Sequence, residues 1–180
     1  MILRKVFLVS FLTLFFSCKN EKDIESLEVV RPQLVEKSFK VTLSLVLKQT
    51  DDLSLYYTTD NTTDFKIDPI WVNVKGSESS QEVSFVIEND KTPIQLRLDF
   101  GMNPKQEDIV FESISLEYNG KKNEIKGANL GLIFRADETK CTFDNGSGVI
   151  KALVKDGVRQ NPSLCPHEKI LIEEIEKITK

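Results

Sequence analysis

An alternation of apolar and polar side chains with period two restricts this chain more than any other feature. Phe39, Val41, Leu43, Leu45 and Leu47 share one phase, while Lys40, Thr42, Ser44 and Lys48 hold the other. Successive side chains of an extended strand point to opposite faces, so this is the pattern of a long strand with one buried side. The same rule recurs in Leu53, Leu55 and Tyr57, then Ile70, Val72 and Val74, then Val83, Phe85 and Ile87, then Ile94, Leu96 and Leu98. Turn formers separate the runs at Thr50-Asp51-Asp52, Asp60-Asn61, Lys75-Gly76-Ser77, Asn89-Asp90 and Gly101 to Pro104. Parallel neighbours need crossover helices, and no helical period lies between these runs. The expectation is an all-β fold, an antiparallel β-sandwich over residues 38–165.

The run from Ile109 to Tyr118 changes phase, with Ile109 and Phe111 apolar at odd numbers and Ile114, Leu116 and Tyr118 at even ones. A bulge near Glu112-Ser113 returns both sets to the core side. Asn119-Gly120 reads as a tight hairpin turn, because both residues tolerate positive φ. Further strands are expected around Glu124 to Lys126, Gly131 to Arg135 and Val149 to Val154. Only residues 166–180 look helical, with Leu171, Ile172, Ile175 and Ile178 on one stripe, Pro166 at the first helical position and Glu168 in the first turn. Such a helix is expected to pack on the sandwich or to cap an open edge.

The amino terminus places the domain. Arg4-Lys5 precede about eleven mostly apolar residues, Val6 to Phe16, the layout of a secretory signal and too short for a permanent span. Ser17-Cys18 closes the run, and here the chain resembles a bacterial lipoprotein signal, with Phe15 and Phe16 where a leucine and a small residue are usual. The resemblance implies cleavage after residue 17, lipidation of Cys18 and attachment to the outer membrane in the cell envelope. Residues 18–37 then carry the lipidated cysteine and a polar tether. Its charged start, Lys19 to Glu25, resembles the surface-export signals of Bacteroidetes-type lipoproteins. Acyl chains contribute about 0.8 kcal/mol per buried CH₂, so the polypeptide itself need not touch lipid.

Charge narrows the partners. Lys and Arg number 24 against 28 Asp and Glu, a net charge of −4 with no basic face, which disfavours nucleic acid. The single histidine disfavours histidine-based catalysis and metal binding, and neither a cofactor nor a metal is expected. Cys141 and Cys165, in a chain that leaves the reducing cytosol, are expected to form a disulfide closing about 25 residues, worth about 3 kcal/mol. The rival reading, Cys165 and His167 as a nucleophile and base, lacks the geometry at two residues' separation. Asp60, Asp64 and Asp68 recur every fourth residue, as in oxygen-rich calcium loops, but not at EF-hand spacing; plain loop acids are the simpler reading. No G-x-S-x-G, Walker loop or H-E-x-x-H occurs.

Asp52 to Tyr57, Val74 to Ser77, Gln81 to Phe85, Leu96-Arg-Leu-Asp-Phe-Gly101 and the run to Tyr118 occur in an order that resembles a jelly-roll-like domain. Such domains occur in Bacteroidetes-type envelope proteins, including outward-facing parts of membrane proteins linked to surface glycans. This resemblance spans about residues 38 to 118. It implies a non-catalytic sandwich that binds carbohydrate. Sugars stack on aromatic faces and hydrogen-bond to carboxylates, amides and arginines, which makes Tyr56, Trp71, Arg97 and Asp99 the candidate ligand-binding residues. Trp71 is opposite in phase to Ile70 and Val72, and reads either as exposed or as packing between strands. Arg97 and Asp99 read either as groove lining or as a cross-strand ion-pair ladder. The alternatives to glycan binding are an accessory subunit docking onto an envelope complex by a sheet edge or the terminal helix, and a small carboxylate-pair hydrolase.

Overall fold

The computed structural model of the protein describes residues 38–88 and 91–180. The signal, Cys18 and the tether lie outside the described residues, as does the Asn89-Asp90 turn. The strands are β1 (Phe39–Val46), β2 (Asp51–Thr58), β3 (Ile70–Val74), β4 (Gln81–Ile87), β5 (Gln95–Asp99), β6 (Ile109–Tyr118) and β7 (Lys121–Lys126). After a short helical turn, α1 (Leu130–Ile133), come β8 (Phe134–Ala136), β9 (Cys141–Asp144), β10 (Val149–Ala152), β11 (Val154–Lys155), β12 (Val158–Arg159) and β13 (Ser163–Pro166). Helix α2 (Glu168–Thr179) ends the chain.

These strands form an all-β sandwich with a terminal helix. The first sheet runs β4-β1-β6-β10-β9 with β7 also on β6; the second runs β3-β2-β5-β13-β8. Every pairing among them is antiparallel. The chain changes sheet between β1 and β2, β3 and β4, β4 and β5, and β5 and β6, so neighbours in sequence often face each other across the core. Phe39, Val41, Leu43 and Leu45 from the first sheet meet Leu53, Leu55, Tyr57, Leu96 and Leu98 from the second in one buried cluster. Each such side chain contributes about 1.5–3 kcal/mol on burial. Tyr57 belongs to this core, as its phase requires.

The phase change in β6 is a bulge. Ser44 stands opposite Ser113 and Leu45 opposite Phe111, so Glu112 is the extra residue. Its carboxylate accepts from the hydroxyls of Ser44 at 3.0 Å and Ser80 at 2.6 Å. Asn119 and Gly120 turn the chain at φ 50° and 77°, and Tyr118 pairs with Lys121 across the turn.

Two expectations change at the carboxyl-terminal end. Residues 131–133 are not strand: Leu130 and Ile133, three apart, are both buried, which is helical spacing, and a side chain on Gly131 would overlap that of Asn145. Pro166 is the last residue of β13, opposite Phe134, and does not begin the helix. The backbone N–H of His167 is already given to the Ile133 carbonyl at 2.8 Å, and α2 starts at Glu168. Leu171, Ile175 and Ile178 are its buried stripe, with Ile172 half-buried, and Asn123 of β7 donates to the Glu174 carboxylate at 2.8 Å. The helix thus packs along β7, beside the first sheet. Among the described residues no helix is long and apolar enough to cross a membrane.

Candidate functional site

The outward face of the second sheet gathers all four candidate ligand-binding residues. Alternation in β2 sends Leu53, Leu55 and Tyr57 to the core and Asp52, Ser54, Tyr56 and Thr58 outward. Strand register then builds three rows on that face. Trp71, Ser54, Asp99 and Ser163 stand side by side across β3, β2, β5 and β13; Tyr56 lies opposite Arg97; Asn73 lies opposite Asp52.

Arg97 and Asp99 do not form a cross-strand ladder. They pair along β5, with Arg97 Nε donating to Asp99 Oδ1 and Nη2 to Oδ2, both at 3.0 Å. The reason is what stands across from them: β2 offers Tyr56 and Ser54, and β13 offers Ser163, none of them charged. The guanidinium lies 3.8 Å from the Tyr56 ring centre and 5.3 Å from that of Phe65, which reaches in from the loop between β2 and β3. Tyr56 and Phe65 meet edge to face at 6.3 Å. A bidentate, stacked arginine holds a fixed orientation. The Asp99 side chain is only 7% exposed and that of Arg97 24%.

Trp71 is 54% exposed, so its indole is on the surface and not packed between strands. Beside it, Ser54 is fully buried and its hydroxyl has no partner among the described residues. Asn73 Nδ2 donates to Asp52 Oδ1 at 2.7 Å, and both residues are exposed.

Other sequence candidates resolve differently. Asp60 closes its own turn, accepting from the Thr62 hydroxyl at 2.6 Å and the Thr62 N–H at 3.0 Å, and these bonds hold its carboxyl below the usual range. Asp64 pairs with Lys66 at 3.0 Å. No group of three or more metal-ligating side chains occurs among the described residues.

Cys141 and Cys165 are separate free thiols, not the expected disulfide. Cys141 is buried in β9 of the first sheet and its thiol donates to the Ser163 carbonyl at 3.3 Å. Cys165 follows the inward Leu164 in β13, so alternation turns it to the outward face of the second sheet. Cys141 and His167 share the lining of a cavity of about 430 Å³ with Phe134, Arg135, Phe143 and Asn145. Burial pushes the Cys141 thiol up, and burial does the same to Cys165, the reverse of what an activated nucleophile needs.

Two acids, Glu124 and Glu174, line a groove between β7 and α2. Burial raises the Glu174 carboxyl, but hydrogen bonds from Lys177 and Asn123 outweigh it and the net shift is downward. A general acid needs the opposite shift. No family model matches this chain, and no curated protein or solved structure matches it.

Proposed function

We propose that this chain is a membrane-anchored lipoprotein of the outer membrane, acting as a non-catalytic carbohydrate-binding module at the cell envelope. The carrying observation is Trp71, more than half exposed on the outward sheet face beside aromatic and hydrogen-bonding side chains. A large apolar surface left in water is a recurrent mark of a binding surface, and an indole face matches the C–H face of a pyranose. Arg4-Lys5, the apolar run and Ser17-Cys18 support the anchor, and the charged stretch after Cys18 supports a tether that leaves the domain free to meet ligand.

Binding of the full chain to a glycan array, followed by titration of its tryptophan emission, tests the ligand class. Trp71 is the chain's sole tryptophan, so the emission reports this face alone. Trp71→Ala is expected to weaken binding by about 2 kcal/mol or more, roughly thirtyfold, as for aromatic anchors that a bound partner covers. An array with no response to any sugar removes the carbohydrate reading. Metabolic labelling with palmitate is expected to mark the wild type and to vanish in Cys18→Ala; label that persists in the variant removes the anchor.

A further inference from the structure

Two pairs of polar side chains flank the exposed indole, and they differ in what they have left to give. The Arg97 and Asp99 pair is closed. Asp99 is nearly buried and accepts two hydrogen bonds from Arg97, whose plane lies against Tyr56. With its side chain only 7% exposed, Asp99 leaves a sugar hydroxyl almost no carboxylate surface to reach.

The Asp52 and Asn73 pair is open. Both side chains are exposed and stand opposite each other in the β2–β3 register. Asn73 shares strand and face with Trp71 two residues away, about 7 Å along the strand at the usual rise, the breadth of one sugar ring. Their mutual bond uses one Asn73 N–H and Asp52 Oδ1. Among the described residues the second Asn73 N–H, its carbonyl oxygen and Asp52 Oδ2 have no side-chain partner. That set offers one donor and two acceptors, held in place by the bond between them, to hydroxyls that can each donate and accept.

We propose, on the basis of the carbohydrate reading above, that Asp52 and Asn73 with Trp71 make the ligand contacts, that Arg97 and Asp99 only brace the platform, and that the ligand is a neutral glycan. Asp52 sets the charge preference. It has no ion pair among the described residues, and Lys75, the first residue after β3, does not pair with it. A uronate or sulfated sugar laid on Trp71 brings its own negative charge against this carboxylate.

Calorimetric titration of the full chain in detergent, with neutral hexaoses of glucose, mannose and xylose and with a galacturonate hexamer, tests this. At least one neutral hexaose is expected to bind, with the galacturonate at least about tenfold weaker. Asp52→Ala and Asn73→Ala, each confirmed as folded by circular dichroism, are each expected to lose about tenfold in affinity, since each removes hydrogen bonds to the ligand. Asp52→Asn is expected to narrow the gap between neutral and acidic hexamers. Neutral binding that needs Trp71 but stays within twofold in both alanine variants overturns this contact set and leaves the carbohydrate reading standing. Galacturonate binding as tight as the neutral sugars overturns the charge preference. Absence of binding by all four hexamers overturns this inference, while the carbohydrate reading stands or falls on the array.

Discussion

Phe111→Ala is expected to lower the unfolding free energy by about 3–5 kcal/mol, a large share of the roughly 5–15 kcal/mol that holds a domain together. Phe111 is fully buried and its ring joins three elements. It lies 5.8 Å from the ring of Phe100, which follows β5 in the second sheet, and 6.4 Å from that of Phe143 in β9. The site cannot easily collapse into the space left behind. The Phe111 N–H is given to the Gly148 carbonyl at 2.8 Å, and a side chain on Gly148, itself at φ 73°, would overlap the Phe111 carbonyl. With the backbone pinned on both sides, the lost ring leaves a cavity, which is the expensive outcome of a large-to-small change. Urea unfolding followed by far-ultraviolet circular dichroism measures it. Phe143→Ala, at a half-buried position, is the internal comparison and should cost less. A loss below about 1.5 kcal/mol for Phe111→Ala would show that the sheets can close over the gap, against the close packing expected of such a core.

The second large effect is expected at Asp51, a charged residue almost completely buried at the start of β2. Its Oδ1 accepts from the backbone of Asp52 at 2.9 Å, Met102 at 2.9 Å and Asn103 at 3.2 Å, and its Oδ2 from Asn103 at 3.0 Å. The carboxylate therefore fixes the loop that leads from the second sheet to β6. Gly101 is there because φ is 82° and because a side chain would meet that carboxylate. Hydrogen bonds to a charged acceptor are worth about 1.5–3 kcal/mol each, partly recovered from water where the loop is open. Asp51→Ala is thus expected to cost about 2–3 kcal/mol, and Asp51→Asn less, because the amide oxygen keeps one acceptor in place. Chemical denaturation of the three proteins measures the order. An alanine variant as stable as the wild type would mean that the loop keeps its path without the carboxylate.

Most of the framework was legible in the sequence, for a reason particular to long strands. β1, β2 and β4 each repeat the alternation three times or more, so one residue out of phase cannot hide the face. Even the bulge announced itself, since Phe111 and Ile114 are apolar at positions of opposite parity. Short elements carry no such redundancy. β9 has four residues and β8 three, and Leu130 to Ile133 has too few to distinguish helical spacing from a strand by pattern alone. β11 and β12 have two residues each and are invisible to any periodicity.

The site was legible in part, and the division follows from what phase can and cannot say. Phase alone put Trp71, Tyr56, Arg97 and Asp99 opposite the apolar faces of their strands, leaving open whether Trp71 was exposed, and the structure brings these four onto one outward face of one sheet. What phase cannot supply is register. The pairing of Asp52 with Asn73, 21 residues apart, and the turn of Arg97 along its own strand toward Asp99 both depend on which residues stand opposite. The cysteines illustrate the same limit, because spacing in a chain says nothing about whether two thiols fall on the same side of a sheet. Phe65 escaped notice because its loop has no period at all, and only the fold brings it over Arg97.

The extra residue in β6 has a consequence for how this chain can change in length. Deleting one residue from a regular strand inverts every side chain beyond the gap, exchanging wet and dry sides. Deleting Glu112 instead sets Ser113 directly after Phe111, and Phe111 and Ile114 then sit two apart on a regular strand with their inward direction kept. What is lost is the acceptor for Ser44 and Ser80, at the surface. Deletion of Ser115, three positions further on, has no such escape and turns Leu116 and the rest of the hairpin inside out. Within this strand, then, Glu112 marks the point where descendants of the sequence can shed a residue and keep their architecture.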